Sequence, residues 1–134
     1  MVIILFHVLS IFIFNDFLFK PSYMPDQYDY LRIAEQVRSF NFDFEGYPPQ
    51  VYLTGMFFAL FPIPFIDSFY SIGMINFLIY LSLFIFLMRN EIFNNKLSIY
   101  FYLLYPSLLM YSSLALRELL ILSILCVGLY FLLV

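Results

Sequence analysis

The amino-acid sequence predicts an all-α integral membrane protein with four to five transmembrane helices and an interfacial helix in its first large loop. Of the 134 residues, 64% are hydrophobic and 11% are charged, whereas soluble domains usually carry about 25% charged residues. Uncharged runs cover residues 46–66, 68–88, 97–116 and 119–134. Because a helix needs about 20 apolar residues to cross a bilayer, these runs indicate a lipid bilayer as the surroundings of the chain.

The first span is expected over residues 1–19. The apolar run 2–19 has no basic segment before it and no small-residue cleavage site after it, which distinguishes it from a signal peptide that is removed. His7 lies alone within this run, without a Cys, Asp or Glu at the spacing of metal ligands. We therefore expect His7 to form a hydrogen bond between helices.

Residues 20–50 form the large polar loop, which contains five of the nine acidic residues and three of the six basic residues. Within 27–40, apolar side chains recur at helical spacing, which predicts an amphipathic helix lying in the membrane interface. These apolar positions are Tyr30, Ile33, Val37 and Phe40.

Residues 51–134 are expected to form a helical bundle, and the whole chain 1–134 to be a single transmembrane region. Pro62 and Pro64 divide 51–88 into two elements, and Pro106 interrupts 97–116, since proline lacks a backbone donor. Arg117 and Glu118 then separate two apolar runs by only two residues, which predicts a tight hairpin. The last run is still apolar at Val134, so the bundle is expected to be incomplete at its carboxyl end.

The distribution of charge predicts the orientation. The loop 20–50 sums to minus 2, from three basic and five acidic residues, and the loop 89–96 to plus 1, from two basic and one acidic. Basic residues favour cytoplasmic loops, so 89–96 is expected inside the cytoplasmic membrane and 20–50 outside. Five full crossings would place both loops outside, whereas a half-span or re-entrant element around 51–65, our preferred interpretation, agrees with the charges.

Several function classes lack support in the sequence. The net charge of minus 3 and the scattered basic residues do not predict a nucleic-acid partner. Cys126 is the single cysteine, so an intrachain disulfide and a Cys-based metal site are excluded. There is no Gly-rich phosphate loop, zinc-binding His pair or nucleophile elbow.

Two groups of charged residues are candidates for chemistry. Asp26 stands at the start of the predicted interfacial helix, where it is either the N-cap, with Asp29 in the capping-box position, or a catalytic carboxylate. Arg117 and Glu118 lie between apolar runs, where an ionisable pair is costly unless it reaches water or a partner. The alternative is that Glu118 favours a helix N-terminus and Arg117 extends to the interface.

A series of short motifs resembles a known family. The series is Pro25-Asp26 followed by Tyr30 and Ala34, then YPPQVY at 47–52, FFALFP at 57–62, and a Pro, aromatic, Ser and acid pattern across 105–120. It resembles the amino-terminal part of the GT-C membrane glycosyltransferases, in the family of the dolichyl-phosphate-mannose protein mannosyltransferases and their bacterial relatives. The last motif departs from the family, which usually has Arg directly after the Ser and Asp at the acid, where this chain has Ser113 and Glu118.

The resemblance implies transfer of a sugar from a polyprenyl-phosphate carrier to an acceptor hydroxyl in cell-envelope glycan or glycoprotein synthesis. It implies Asp26 as the general base, Glu118 as a supporting acid that orients the acceptor or helps to hold a divalent metal, and Tyr30 and Arg117 as substrate contacts. Family members are much longer, so further helices or a partner subunit would complete the donor site. The alternative is a noncatalytic membrane subunit or a polysaccharide-polymerase-like protein.

Overall fold

A computed structural model describes residues 2–18, 25–61, 69–93, 95–114 and 116–133. Within these ranges the chain forms seven α-helices and no strand, which confirms the predicted all-α class. A π-helical turn, Ile13–Leu18, continues the first helix. The helices are α1 (Val2–Phe12), α2 (Asp26–Arg38), α3 (Pro49–Ala59), α4 (Phe69–Arg89), α5 (Lys96–Leu104), α6 (Pro106–Ser113) and α7 (Glu118–Leu133).

Helix α4 is the central element, because α1, α2, α6 and α7 all pack against it. Its 21 residues span about 32 Å, close to the thickness of the hydrocarbon layer. Among the described residues, Tyr70–Arg89 is the one helix that is long and apolar enough to cross a membrane alone. Helices α6 and α7 would supply a second crossing if together they form one broken span, since they are bent by 115° relative to each other.

Proline determines where the apolar run 97–116 is divided. Tyr105 is extended, with φ −65° and ψ 117°, and Pro106 begins α6, because a residue before proline is disfavoured in the α conformation. The predicted interruption of 97–116 is therefore confirmed. The predicted break at Pro62 and Pro64 lies outside the described residues. Helix α3, with 11 residues, spans about 16 Å, roughly half of a bilayer core.

The buried apolar side chains form two clusters on opposite ends of α4. One cluster joins α2 and α3 to the first half of α4, and its members are Tyr30, Ile33, Ala34, Val51, Phe58, Ile72 and Ile75. The other joins α1, α5 and α7 to the second half, and its members are Ile11, Phe77, Tyr80, Leu83, Leu87, Tyr102 and Leu119. Helix α4 thus fixes the position of α2 relative to α7.

The predicted interfacial helix 27–40 is shorter than expected at its carboxyl end. Helix α2 ends at Arg38, and Phe40 adopts a left-handed conformation with φ 58°. The Asn41 amide donates to the Gln36 carbonyl at 2.9 Å, a closing bond typical of helix ends with a left-handed residue. Phe40 is therefore 85% exposed rather than on the buried face.

Candidate functional site

The candidate site is centred on Tyr30, in the middle of α2. Its ring is fully buried between α2, α3 and α4 and lies 6.1 Å from the ring of Phe58, measured between centroids. Its hydroxyl is buried and has no hydrogen-bond partner among the described residues. Since buried hydroxyls in proteins are normally hydrogen-bonded, this unpaired group is a candidate ligand contact.

Charges from two distant parts of the sequence act on the Tyr30 phenol. Burial raises the pKa of Tyr30 to about 12, the Arg117 guanidinium opposes this rise, and the carboxylates of Asp26, Glu118 and Asp29 add to it. Charge interactions weaken with distance and are screened by solvent. The charges of three predicted site residues, Asp26, Arg117 and Glu118, influence the fourth, Tyr30, across the packing of α2 and α7 on α4.

Asp26 is not the N-cap of α2, so the capping interpretation is wrong. Pro25 occupies the N-cap position with helical angles, φ −60° and ψ −33°, and no side chain caps the helix. The Pro25 carbonyl already accepts a hydrogen bond from the Tyr28 amide at 3.0 Å, so the helical turn begins one residue earlier than predicted. The Asp26 side chain is left exposed in the first turn.

Glu118 is the first residue of α7, and Arg117 directly precedes it. The Arg117 carbonyl accepts from the Ile121 amide at 3.0 Å, and Glu118 lies exposed in the first helical turn, where a carboxylate is favoured by the helix dipole. The expected position of Glu118 at a helix N-terminus is thus confirmed. The Arg117 side chain is half-buried, which reduces the solvent screening of its charge toward Tyr30.

The contribution of Asn76 was not foreseen from the sequence. This residue of α4 is fully buried, and its Nδ2 donates to the carbonyl oxygens of Leu114 and Leu116 at 2.5 and 2.7 Å. A single Asn in an apolar run carries no sequence signal that distinguishes a solvent-facing amide from a buried one. Its contacts hold the segment that immediately precedes Arg117.

His7 forms the interhelical hydrogen bonds that were expected of it. Its Nε2 lies 3.0 Å from the Leu103 carbonyl oxygen, and its Nδ1 lies 3.2 Å from Ser112 Oγ. Because a carbonyl can only accept, Nε2 is the protonated nitrogen. The Tyr80 ring stacks on the imidazole with centroids 4.6 Å apart, and the prediction of a hydrogen bond between helices is confirmed.

The residues near Tyr30 do not fit a metal site. No group of three or more His, Cys, Asp or Glu side chains in the described part of the chain is placed to hold a metal ion. The proposed roles of these residues therefore include no divalent metal at Glu118.

Comparisons with known proteins found no matching family model, no matching curated protein and no matching solved structure.

The raised pKa of Tyr30 predicts a loss of stability in alkali. Below pH 10 the phenol is protonated in the folded and the unfolded protein, whereas between pH 10 and pH 12 only the unfolded protein loses the proton. The shift from 10.0 to about 12 therefore lowers the free energy of unfolding by about 2 to 3 kcal/mol over this range. Tyr30→Phe should abolish this part of the loss, measured by unfolding in mixed micelles at pH 9 and pH 12. An equal alkaline loss in both proteins would contradict the assignment.

Proposed function

We propose that the chain is the amino-terminal part of a multi-pass membrane glycosyltransferase of the GT-C type, which transfers a sugar from a polyprenyl-phosphate carrier to an acceptor hydroxyl. The observation that supports the proposal is the influence of the Asp26, Arg117 and Glu118 charges on Tyr30, whose hydroxyl is buried and unpaired. These residues come from the first turns of α2 and α7. A membrane subunit that used these helices only for packing would not need acidic and guanidinium groups acting on an unpaired phenol.

Each of these side chains has a distinct task in the proposed reaction. Asp26 is exposed and makes no cap bond, so its carboxylate is free to take the proton from an acceptor hydroxyl. The half-buried Arg117 guanidinium is a donor suited to the oxygens of the lipid phosphate that leaves. Glu118 accepts from a second hydroxyl of the acceptor and orients it.

The outer surface of the helices supports a membrane location. Large apolar side chains of α1, α5 and α7 face outward, among them Leu5, Leu97 and Leu132, which are 59%, 75% and 83% exposed. Soluble monomers rarely expose apolar surface on this scale, whereas lipid covers it without cost. We propose that α4 crosses the cytoplasmic membrane, that α3 enters it as a half-span, and that residues 20–50 lie outside.

Cysteine labelling tests this orientation. In a Cys126→Ser background, Asn41→Cys or Asp43→Cys should react with an impermeant thiol reagent in intact cells, because both positions are exposed in the outer loop. Lys96→Cys, also exposed, should react only after lysis. Labelling of Lys96→Cys in intact cells would contradict the half-span arrangement, and protection of Asn41→Cys would exclude an external site.

Retention of a lipid phosphate tests the donor site. The purified protein in lipid nanodiscs should retain undecaprenyl phosphate in preference to undecaprenol, detected by native mass spectrometry. Arg117→Gln should weaken this retention by about tenfold or more, since a hydrogen bond to a charged group contributes about 1.5–3 kcal/mol. Arg89→Gln, at the far end of α4, is the matched control. Equal retention of the alcohol and the phosphate would contradict the proposal and favour a noncatalytic subunit.

A further inference from the structure

We infer that Asn76 is a positioning residue, which fixes the start of α7, and with it Arg117 and Glu118, relative to α2. The inference concerns the arrangement of α2 and α7, and its relevance to sugar transfer rests on the proposed function. Asn76 touches none of the proposed substrate contacts. It acts from α4 through its hydrogen bonds to the carbonyl oxygens of Leu114 and Leu116.

The amide of Asn76 connects the end of α6 to the residue before Arg117. Helix α6 ends at Ser113, and its last carbonyl groups lack partners within the helix. The Asn76 Nδ2 donates to the carbonyls of Leu114 and Leu116 beyond that end, and to the carbonyl of Tyr111 in the last turn of α6 at 3.4 Å. The Asn76 Oδ1 is buried with no partner in the described part of the chain. If the amide were rotated by 180°, Oδ1 would face the two carbonyl oxygens, and neither could donate a hydrogen bond. The observed orientation of the amide is therefore strongly favoured.

Neighbouring contacts hold the same turn from two sides. Gly73, three residues before Asn76, lies so close to α6 that an added Cβ would stand 2.7 Å from the Ser113 carbonyl oxygen. On the side of α1, the Ser10 and Ser113 hydroxyls are hydrogen-bonded, and Asn15 Nδ2 donates to the Ser113 carbonyl at 3.2 Å. The end of α6 is therefore fixed before the chain reaches Arg117.

Helix α4 also packs against the cluster that contains Tyr30, on the other side of the site. Ile72 and Ile75 belong to the buried cluster around Tyr30, and Asn76 is the next residue along the helix. A single helix thus contacts the tyrosine through apolar side chains and the start of α7 through an amide. Because the two contacts are adjacent on one rigid element, α4 sets the separation between Tyr30 and Arg117.

Distance measurements between spin labels test the inference without an activity assay. In a Cys126→Ser background, one label is placed at Glu35 on α2 and one at Leu132 near the far end of α7, both exposed positions. Helix α7 has 16 residues and extends about 24 Å. A change in the direction in which α7 leaves the turn after α6 therefore displaces Leu132 by a large distance. A second pair, at Leu9 on α1 and Ile85 on α4, reports on the rest of the bundle.

Asn76→Leu should broaden or shift the distance distribution between α2 and α7 and leave that between α1 and α4 unchanged. Asn90→Leu is the matched control, because Asn90 directly follows α4 and its amide donates to the Phe86 carbonyl in the last turn of that helix, at 2.8 Å. Asn76→Asp, which keeps the shape and removes at least one donor, serves as the second variant if Asn76→Leu does not insert.

An unchanged distance between α2 and α7 in both Asn76 variants would overturn the inference, and so would an equal change in both label pairs, since Asn76 would then support the bundle as a whole. Retention of undecaprenyl phosphate separates the two proposals. If the parent protein retains none while the distance between α2 and α7 depends on Asn76, the proposed function fails and the positioning role stands. If the parent retains it, the Asn76 variants should lose it as Arg117→Gln does.

Discussion

Asp26→Asn is expected to lower sugar transfer by roughly a hundredfold or more, the usual contribution of a positioned acid or base. An amide cannot take a proton near neutral pH, whereas it preserves the shape and the acceptor oxygen of the carboxylate. Because Asp26 makes no cap bond in α2 and is exposed, the substitution should leave folding and membrane insertion intact. The measurement is transfer from a polyprenyl-phosphate sugar in membranes that contain the protein with whatever helices or subunit complete it.

Glu35→Gln is the control for this experiment, because Glu35 is an exposed acid of the same helix and does not act on the Tyr30 phenol. It should transfer sugar at the parental rate. Transfer at the parental rate by Asp26→Asn would remove the general base from the proposal. A loss of the same size in both variants would indicate that the charge of α2, and no single carboxylate, supports the reaction.

Gly55→Ala should lower stability strongly, because Gly55 lies where α2 and α3 pack closely. A Cβ at Gly55 would stand 2.6 Å from the Cβ and Cγ2 of Ile33 and 3.2 Å from the Tyr30 carbonyl oxygen. These contacts are too short, and the β-branched Ile33 in a helix has little freedom to move away. We expect the free energy of unfolding to fall by about 1–3 kcal/mol, measured by denaturant unfolding in micelles.

Gly128→Ala is the matched control for Gly55→Ala. Gly128 also lies within a helix, but nothing stands within 4 Å of an added Cβ. The higher helix propensity of alanine should therefore stabilise α7 by up to about 1 kcal/mol. Equal effects of the two substitutions would show that helix propensity, and not the close packing of α2 on α3, determines the result at Gly55.

Local features of the sequence predicted the local features of the fold. Pro106 divides an apolar run because it lacks a backbone donor, and His7 seeks a partner because its imidazole lies in apolar surroundings. Both effects depend on neighbouring residues or on a single side chain. The error at Asp26 has a local cause as well, since Pro25 takes up helical angles and moves the helix start by one residue.

Long-range features could not be predicted in the same way. Nothing in the sequence around Asn76 indicates that its amide reaches the carbonyls of Leu114 and Leu116, because these contacts depend on how α4 and α6 pack. The spacing of apolar residues in α2 predicted that Tyr30 lies on a buried face. It did not predict that the Tyr30 hydroxyl has no hydrogen-bond partner. That charges of α2 and α7 both influence Tyr30 depends on both helices packing on α4.

The contacts between α1 and α6 have a consequence for the order of assembly during synthesis. His7 and Ser112 are 105 residues apart in the chain, and Ser10 and Ser113 are 103 apart. At a synthesis rate of about 5–20 residues per second, the first helix waits on the order of ten seconds for these partners to emerge. The hydrogen bonds between α1 and α6 are therefore late events in assembly, and they are added to a pair of helices, α1 and α4, that can pack together earlier.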